Sequence, residues 1–225
     1  MTLSFTRHSG GKTDQVSVEP HTLIVAGWTG RDEAALNHHI EELAAIGVPR
    51  PSSVPVFYRN AATNVVQTER LEVLGPDTSG EVEPVIVALS DGLWVGLGSD
   101  HTDRKAETMG IALSKQLCGK VIGKDLWRLD EISKHWDQIK IRAFATIGGQ
   151  RTLYQEGLLA TMRHPDDLIE RYGKALGADT IMMCGTLGAM GGIRPAARFE
   201  MELDDPVLKR RMTHGYDIVD LPVIS

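Results

Sequence analysis

The stretch EVEPVIVALSDGLWVGLGSD, residues 81–100, constrains the fold more than any other part of the chain. Two nearly continuous apolar runs flank Asp91-Gly92, a dipeptide that favours a two-residue hairpin, because the twist of paired strands calls for positive φ at the centre of the turn. With that pair as the pivot, Glu83 is expected opposite Asp100, and Glu81 joins them because side chains two apart on a strand share a face. Facing residues lie about 4.5–5.5 Å apart at Cβ, so three carboxylates converge at the far end of the hairpin. Two unit negative charges about 5 Å apart repel by on the order of 3 kcal/mol at an effective dielectric near 20. A hard cation, Mg²⁺ first with Mn²⁺ or Ca²⁺ as alternatives, would neutralise them through oxygen ligands and keep positions open for water or substrate. The competing reading is a solvated strand end where the acids repel only weakly.

The 225 residues are long enough to bury a sizeable core, and residues 1–225 are read as one domain with N-terminal strands over 1–21. No apolar stretch approaches the length of a bilayer span, so no membrane role is expected. The opening MTLSFTRHSGGKTD lacks the apolar core of a secretory signal, and Cys118 and Cys184 form no metal or redox spacing, which favours the cytoplasm. A net charge of −6 without a basic run argues against nucleic acid as a partner. A small anionic substrate would bind only with local help from a cation.

Along the chain, TLIVAGW (22–28) reads as a buried strand, followed by a helix with Thr29 and Asp32 as a capping box, Leu36, Ile40 and Leu43 on one face, and Gly47 at its end. VPVFYR (54–59) is a strand candidate, and GVPRPSSVP (47–55) an irregular connection suited to a closing segment. Residues 103–118 are expected to be helical, WRLDEISKHW (127–136) more weakly so. A second hairpin is expected over 139–155, turning at Gly148-Gly149, then a helix over 164–177 ending at Gly177. TIMMCG and AARFEMEL are taken as the last strands. The pattern implies an α+β, mainly β domain.

On the first helix His39 and Glu42 lie three apart and hence side by side, and a histidine oriented by a carboxylate can deprotonate water near neutral pH. His38 and Glu41 pair equally well by spacing, so spacing does not choose between them. CGTLGAMGG (184–192) could present main-chain N–H groups to a carboxylate or phosphate, or be a plain turn; it lacks dinucleotide or phosphate-loop spacing. Lys120 and Lys124 could each reach an oxyanion there.

Taken in chain order, HIEE (39–42), EVE (81–83), DHTDR (100–104), Lys120, GGQRTLYQ (148–155) and GADTIMMCGTL (177–187) resemble the fumarylacetoacetate hydrolase family over roughly residues 22–205. That family carries a His-x-x-Glu helix, a Glu-x-Glu strand, an Asp-x-x-x-Arg segment, a lysine, a Gln-bearing hairpin and a Gly-Thr-Pro turn in this order. Leu187 stands where the family has proline, Ser99-Asp100 replaces Asn-Asp and Arg104-Lys105 replaces Arg-Asp, which marks an outlying branch. The resemblance implies a mixed β-sandwich or roll with flanking helices and a homodimer. It implies metal ligands Glu81, Glu83 and Asp100, a base His39 oriented by Glu42, Lys120 at the oxyanion, and substrate contacts from Arg104, Gly185 and Thr186. The reaction it implies is metal-dependent hydrolysis of a C–C bond in a small 2,4-dioxo acid. The alternatives are a lyase on a 2-oxo acid, whether decarboxylase, dehydratase or hydratase, and a non-catalytic binding protein that keeps the fold.

Overall fold

The computed structural model of the chain describes residues 1–45 and 50–224, with the side chains at 39 and 42–45 outside the described set. In chain order the elements are β1 (Leu3–Ser9), β2 (Lys12–Val18), β3 (Thr22–Gly27), α1 (Glu33–Ala45), β4 (Val56–Asn60), β5 (Val65–Val66), β6 (Arg70–Leu74) and β7 (Thr78–Ser79). The central hairpin β8 (Val82–Leu89) and β9 (Gly92–Ser99) follows, then β10 (Thr102–Asp103), α2 (Arg104–Glu107), α3 (Ile111–Leu117), β11 (Lys120–Ile122), β12 (Asp125–Arg128) and α4 (Leu129–Ile132). The chain closes with β13 (Lys140–Ile147), β14 (Gln150–Leu158), α5 (Pro165–Tyr172), β15 (Thr180–Met183), β16 (Arg198–Asp205) and β17 (Arg210–Leu221).

Strands dominate in two main sheets. The larger runs β2-β1-β12-β9-β8-β15-β3-β4, with β11 and β5 joined beside β9; the smaller runs β14-β13-β16-β17-β6. Both contain parallel and antiparallel pairs. The smaller sheet packs across β8 and β9, burying Val82, Ile86, Val95 and Leu97 with Ile141, Ala143, Met201 and Leu203. On the other face of the hairpin, Val85, Val87 and Trp94 pack with Leu3, Phe5, Val18, Leu23 and Val25. Both faces of β8 are therefore covered, which is why its sequence is continuously apolar instead of alternating. The expected class, mainly β with flanking helices, is the observed one.

Local expectations fare unevenly. The central turn is built on Ser90 and Asp91, with Leu89 paired to Gly92, two positions away from the Asp91-Gly92 register. Asp91 is held there by its side chain, which accepts from Trp94 Nε1 at 3.0 Å and Arg7 at 2.6 Å. Glu83 consequently faces Gly98, and Glu81 lies across from Asp100, whose N–H donates to the Glu81 carbonyl at 3.0 Å. Asp32 rather than Thr29 caps α1, accepting from Ala35 N–H at 3.0 Å. The helix expected over 103–118 is split into α2 and α3 around Gly110, and α5 ends at Gly173, in the left-handed region at φ 75°, short of Gly177. β17 is an additional last strand, paired with β16 and β6. Gly148-Gly149 turns the second hairpin as expected, both residues at positive φ.

Candidate metal centre

Glu81, Glu83 and Asp100 offer carboxylate oxygens that all lie within 4.8 Å of one another. The two-position shift in register preserves side-chain parity, so the acids stay on one face, that of Val85, Val87 and Trp94, even though their pairing differs from the expected one. Asp100 is 0% exposed and Glu83 2%.

Three cations converge on them. Arg104, the first residue of α2, reaches Glu81 at 3.0 Å, Ser79 Oγ at 2.7 Å and Glu107 at 3.0 Å. Lys115 of α3 places its ammonium directly on Asp100 Oδ2 and 3.7 Å from Glu81 Oε2. Lys120 of β11 lies 2.7 Å from Asp100 Oδ1 and donates to the His101 carbonyl at 2.5 Å. Burial, and then the charge of Asp100, push the Glu83 carboxyl well above its ordinary value. Burial acts the same way on Asp100, but Lys115 and Lys120 outweigh it and hold this carboxyl below the usual range. Burial works against the Lys115 charge, yet Asp100, Glu81 and Glu83 together raise its pKa above that of an ordinary lysine.

The donor chemistry fits a hard divalent cation, since every ligand atom is a carboxylate oxygen and the spacing suits one shared ion. Asp100 Oδ1 is moreover buried without a hydrogen bond, and Lys120 meets it as an ion pair at 2.7 Å.

The walls of the centre are fixed by neighbouring loops. Gly185 donates its N–H to Glu83 Oε2 at 2.7 Å. It does so at φ 95°, and a Cβ there would lie 1.8 Å from Thr29 Oγ1, so only glycine brings this amide to the carboxylate. Thr186 Oγ donates to the Val82 carbonyl at 2.8 Å and accepts from Gln155 Nε2 at 2.9 Å, while Gln155 Oε1 accepts from Val82 N–H at 3.0 Å. A bulge places Gln155, because the β13–β14 register slips between Ala143 and Phe144. Behind the hairpin, on its opposite face, buried His101 bonds Tyr216 Oη and Thr78 Oγ1 at 2.9 Å each, and Tyr216 donates to Ser99 Oγ at 2.8 Å. Burial, then Lys120 and Arg104, lower the His101 pKa to about 3, so the ring is neutral.

Of the residues singled out in the sequence, Glu81, Glu83, Asp100, Arg104, Lys120, Gly185 and Thr186 come together. The donors of Arg104 and Gly185 are directed at Glu81 and Glu83, where they position these carboxylates. The side chains of His39 and Glu42 lie outside the described residues. Lys115, Gln155 and the His101–Tyr216 pair escaped the sequence reading. The Gln in GGQRTLYQ was a usable signal for Gln155, whereas ALSKQL gives none for Lys115.

A family model described as a protein of unknown function, DUF2848, matches residues 26–216. Comparison with curated proteins gives no match. Among solved structures, yeast ynq8, a fumarylacetoacetate hydrolase family protein, superposes with a TM-score of 0.64 at 17% identity, over 91% of this chain and 95% of that one. 2-Keto-3-deoxy-D-arabinonate dehydratase complexed with magnesium and 2,5-dioxopentanoate gives 0.65 at 16%, over 93% and 78%. 5-Carboxymethyl-2-hydroxymuconate delta-isomerase from Mycobacterium smegmatis gives 0.60 at 14%, over 91% and 80%. At these identities the likeness carries the fold alone, which is the one seen in fumarylacetoacetate hydrolase family proteins.

Proposed function

The chain belongs to the DUF2848 family, and on that footing we propose that it is an enzyme acting on a small 2-oxo acid with a divalent cation held by Glu81, Glu83 and Asp100. The observation that carries this reading is the convergence of three carboxylates at the inner end of the central hairpin, with the Lys120 ammonium 2.7 Å from Asp100. When bound there, the cation would supply Lewis-acid polarisation at the 2-oxo carboxylate end of the substrate. Arg104 and the Gly185 N–H hold Glu81 and Glu83 in place, so the ligands need no rearrangement of their own. Lys120 has three N–H donors, of which the His101 carbonyl takes one, while Asp100 balances its charge as an ion pair. A remaining N–H would stabilise negative charge developing on a substrate oxygen.

The preferred reaction is hydrolysis of a C–C bond in a 2,4-dioxo acid. In it His39, oriented by Glu42, takes the proton of the water that attacks the distant carbonyl. Elimination or decarboxylation of a 2-oxo acid is the second reading, favoured by the magnesium and 2,5-dioxopentanoate in the dehydratase of the same fold. A screen of 2-oxo and 2,4-dioxo acids with Mg²⁺, Mn²⁺ and Ca²⁺, following enol absorbance and identifying products, separates the two. Cleavage to a carboxylic acid and a shorter 2-oxo acid supports hydrolysis, and loss of water or CO₂ supports the lyase. Cation binding with no turnover of any such acid would overturn the enzymatic reading.

A further inference from the structure

Lys115 is 7% exposed and sits in the last turn of α3, a seven-residue helix whose Leu113 and Leu117 are exposed. A lysine in a short peripheral helix normally puts its ammonium in water, because the head group is strongly hydrated. This one instead turns inward and lays its charge against Asp100 Oδ2 and Glu81 Oε2, two of the oxygens that a divalent ion would need. Resting on the metal reading given above, we propose that Lys115 is a tethered cation that holds the metal position and has to leave it for a divalent ion to bind.

An ammonium and a dication attract the same oxygens and repel each other, so both cannot lie within the trio at once. Lys115 is the one free to go. Its charged partners among the described residues are the carboxylates themselves, and four flexible carbons lead back to a helix beside solvent. Lys120, 1% exposed, belongs to the sheet and is also anchored on the His101 carbonyl. The exchange replaces one positive charge by two at the carboxylates, which favours an anionic substrate only once the metal is in. The tether thus keeps the buried acids neutralised between turnovers and couples loading of the ion to movement of α3's side chain.

Calorimetric titration of the full chain, its Lys115→Met variant and its Lys115→Gln variant with MgCl₂ and MnCl₂ tests this. Removing the competitor should tighten cation binding by at least about tenfold, one tenfold step being a modest fraction of a buried ion pair. Without metal both variants should melt below the parent protein, and added cation should raise their melting temperatures by more than it raises the parent's. A second measurement needs no substitution: acetylation of the unaltered protein, read by mass spectrometry. Labelling at Lys115 should rise several-fold on adding saturating Mg²⁺, while Lys120 stays protected. Equal or weaker cation affinity in the variants, or Lys115 labelling unchanged by a cation that demonstrably binds, would overturn the tether and leave the metal centre standing. Absence of binding in all three proteins would overturn both.

Discussion

Lys120 and Asp100 form the most enclosed ion pair of the centre, Nζ 2.7 Å from Oδ1 with side chains 1% and 0% exposed. Truncating one partner of such a pair leaves the other charge buried, which costs about 3–5 kcal/mol. Because Lys115 still contacts Asp100, Lys120→Met should lose about 3 kcal/mol, the low end, in urea denaturation. A loss below about 1 kcal/mol would mean that the pair is solvated and the centre open.

Gly185 holds a backbone position in the centre that a Cβ would block. Gly185→Ala adds a methyl in collision with Thr29 and keeps φ in the left-handed region, for a cost of about 1–3 kcal/mol before the clash is relieved. Thermal melts should show the loss, and Thr29→Gly in the same chain should restore part of it. Cation affinity should fall with Gly185→Ala, since relieving the clash with Thr29 moves the residue's N–H away from Glu83. Unchanged stability would show that the loop relaxes freely.

Much of this centre was readable in the sequence because parity, rather than exact register, decides which side chains share a face. The Asp91-Gly92 signal places the turn one residue too late and so shifts the pairing register by two, which moves Asp100 from opposite Glu83 to opposite Glu81 yet keeps all three acids together. A register shift of one would have put Asp100 on the face opposite Glu81 and Glu83. Charge balance was not readable. The repulsion among the acids pointed to an external cation, whereas Arg104, Lys115 and Lys120 already oppose it from helices and a strand that meet only in the folded chain. Gln155 depended on a bulge that no local propensity announces, and β17, with Gly215 and polar residues interleaved, lacks the continuous apolar run that revealed β8.

Asp205 makes folding sensitive to acid at a site away from the metal centre. Its buried carboxylate accepts from the N–H groups of Val207 and Leu208, lies 3.0 Å from His135 Nε2, and faces Arg210, which itself pairs with Glu131. Burial acts upward, but the Leu208 N–H, His135 and the Val207 N–H together hold its pKa below the ordinary 3.8. A depressed folded value means that the stabilisation is fully present above the unfolded pKa and is lost as the pH falls through the folded one. Asp205→Asn should therefore cost about 2 kcal/mol at pH 7 and progressively less below pH 4. Melting curves that stay parallel from pH 7 to pH 3 would contradict this.

The proposed base separates from its neighbour by mutation where spacing could not separate them. With a turned-over 2-oxo or 2,4-dioxo acid, His39→Ala should lower kcat by about 10²-fold, the scale of a lost general base, and leave cation affinity unchanged. His38→Ala should do little. Full turnover in His39→Ala, or sensitivity at His38 instead, would move the base.

Anomalous diffraction from crystals soaked in Mn²⁺ would locate the cation itself. A single peak about 2.0–2.6 Å from one oxygen each of Glu81, Glu83 and Asp100 is the expected result, with the Lys115 side chain displaced from Asp100. No peak at saturating Mn²⁺, or a peak elsewhere while Lys115 still rests on Asp100, would contradict a metal centre at the end of the hairpin.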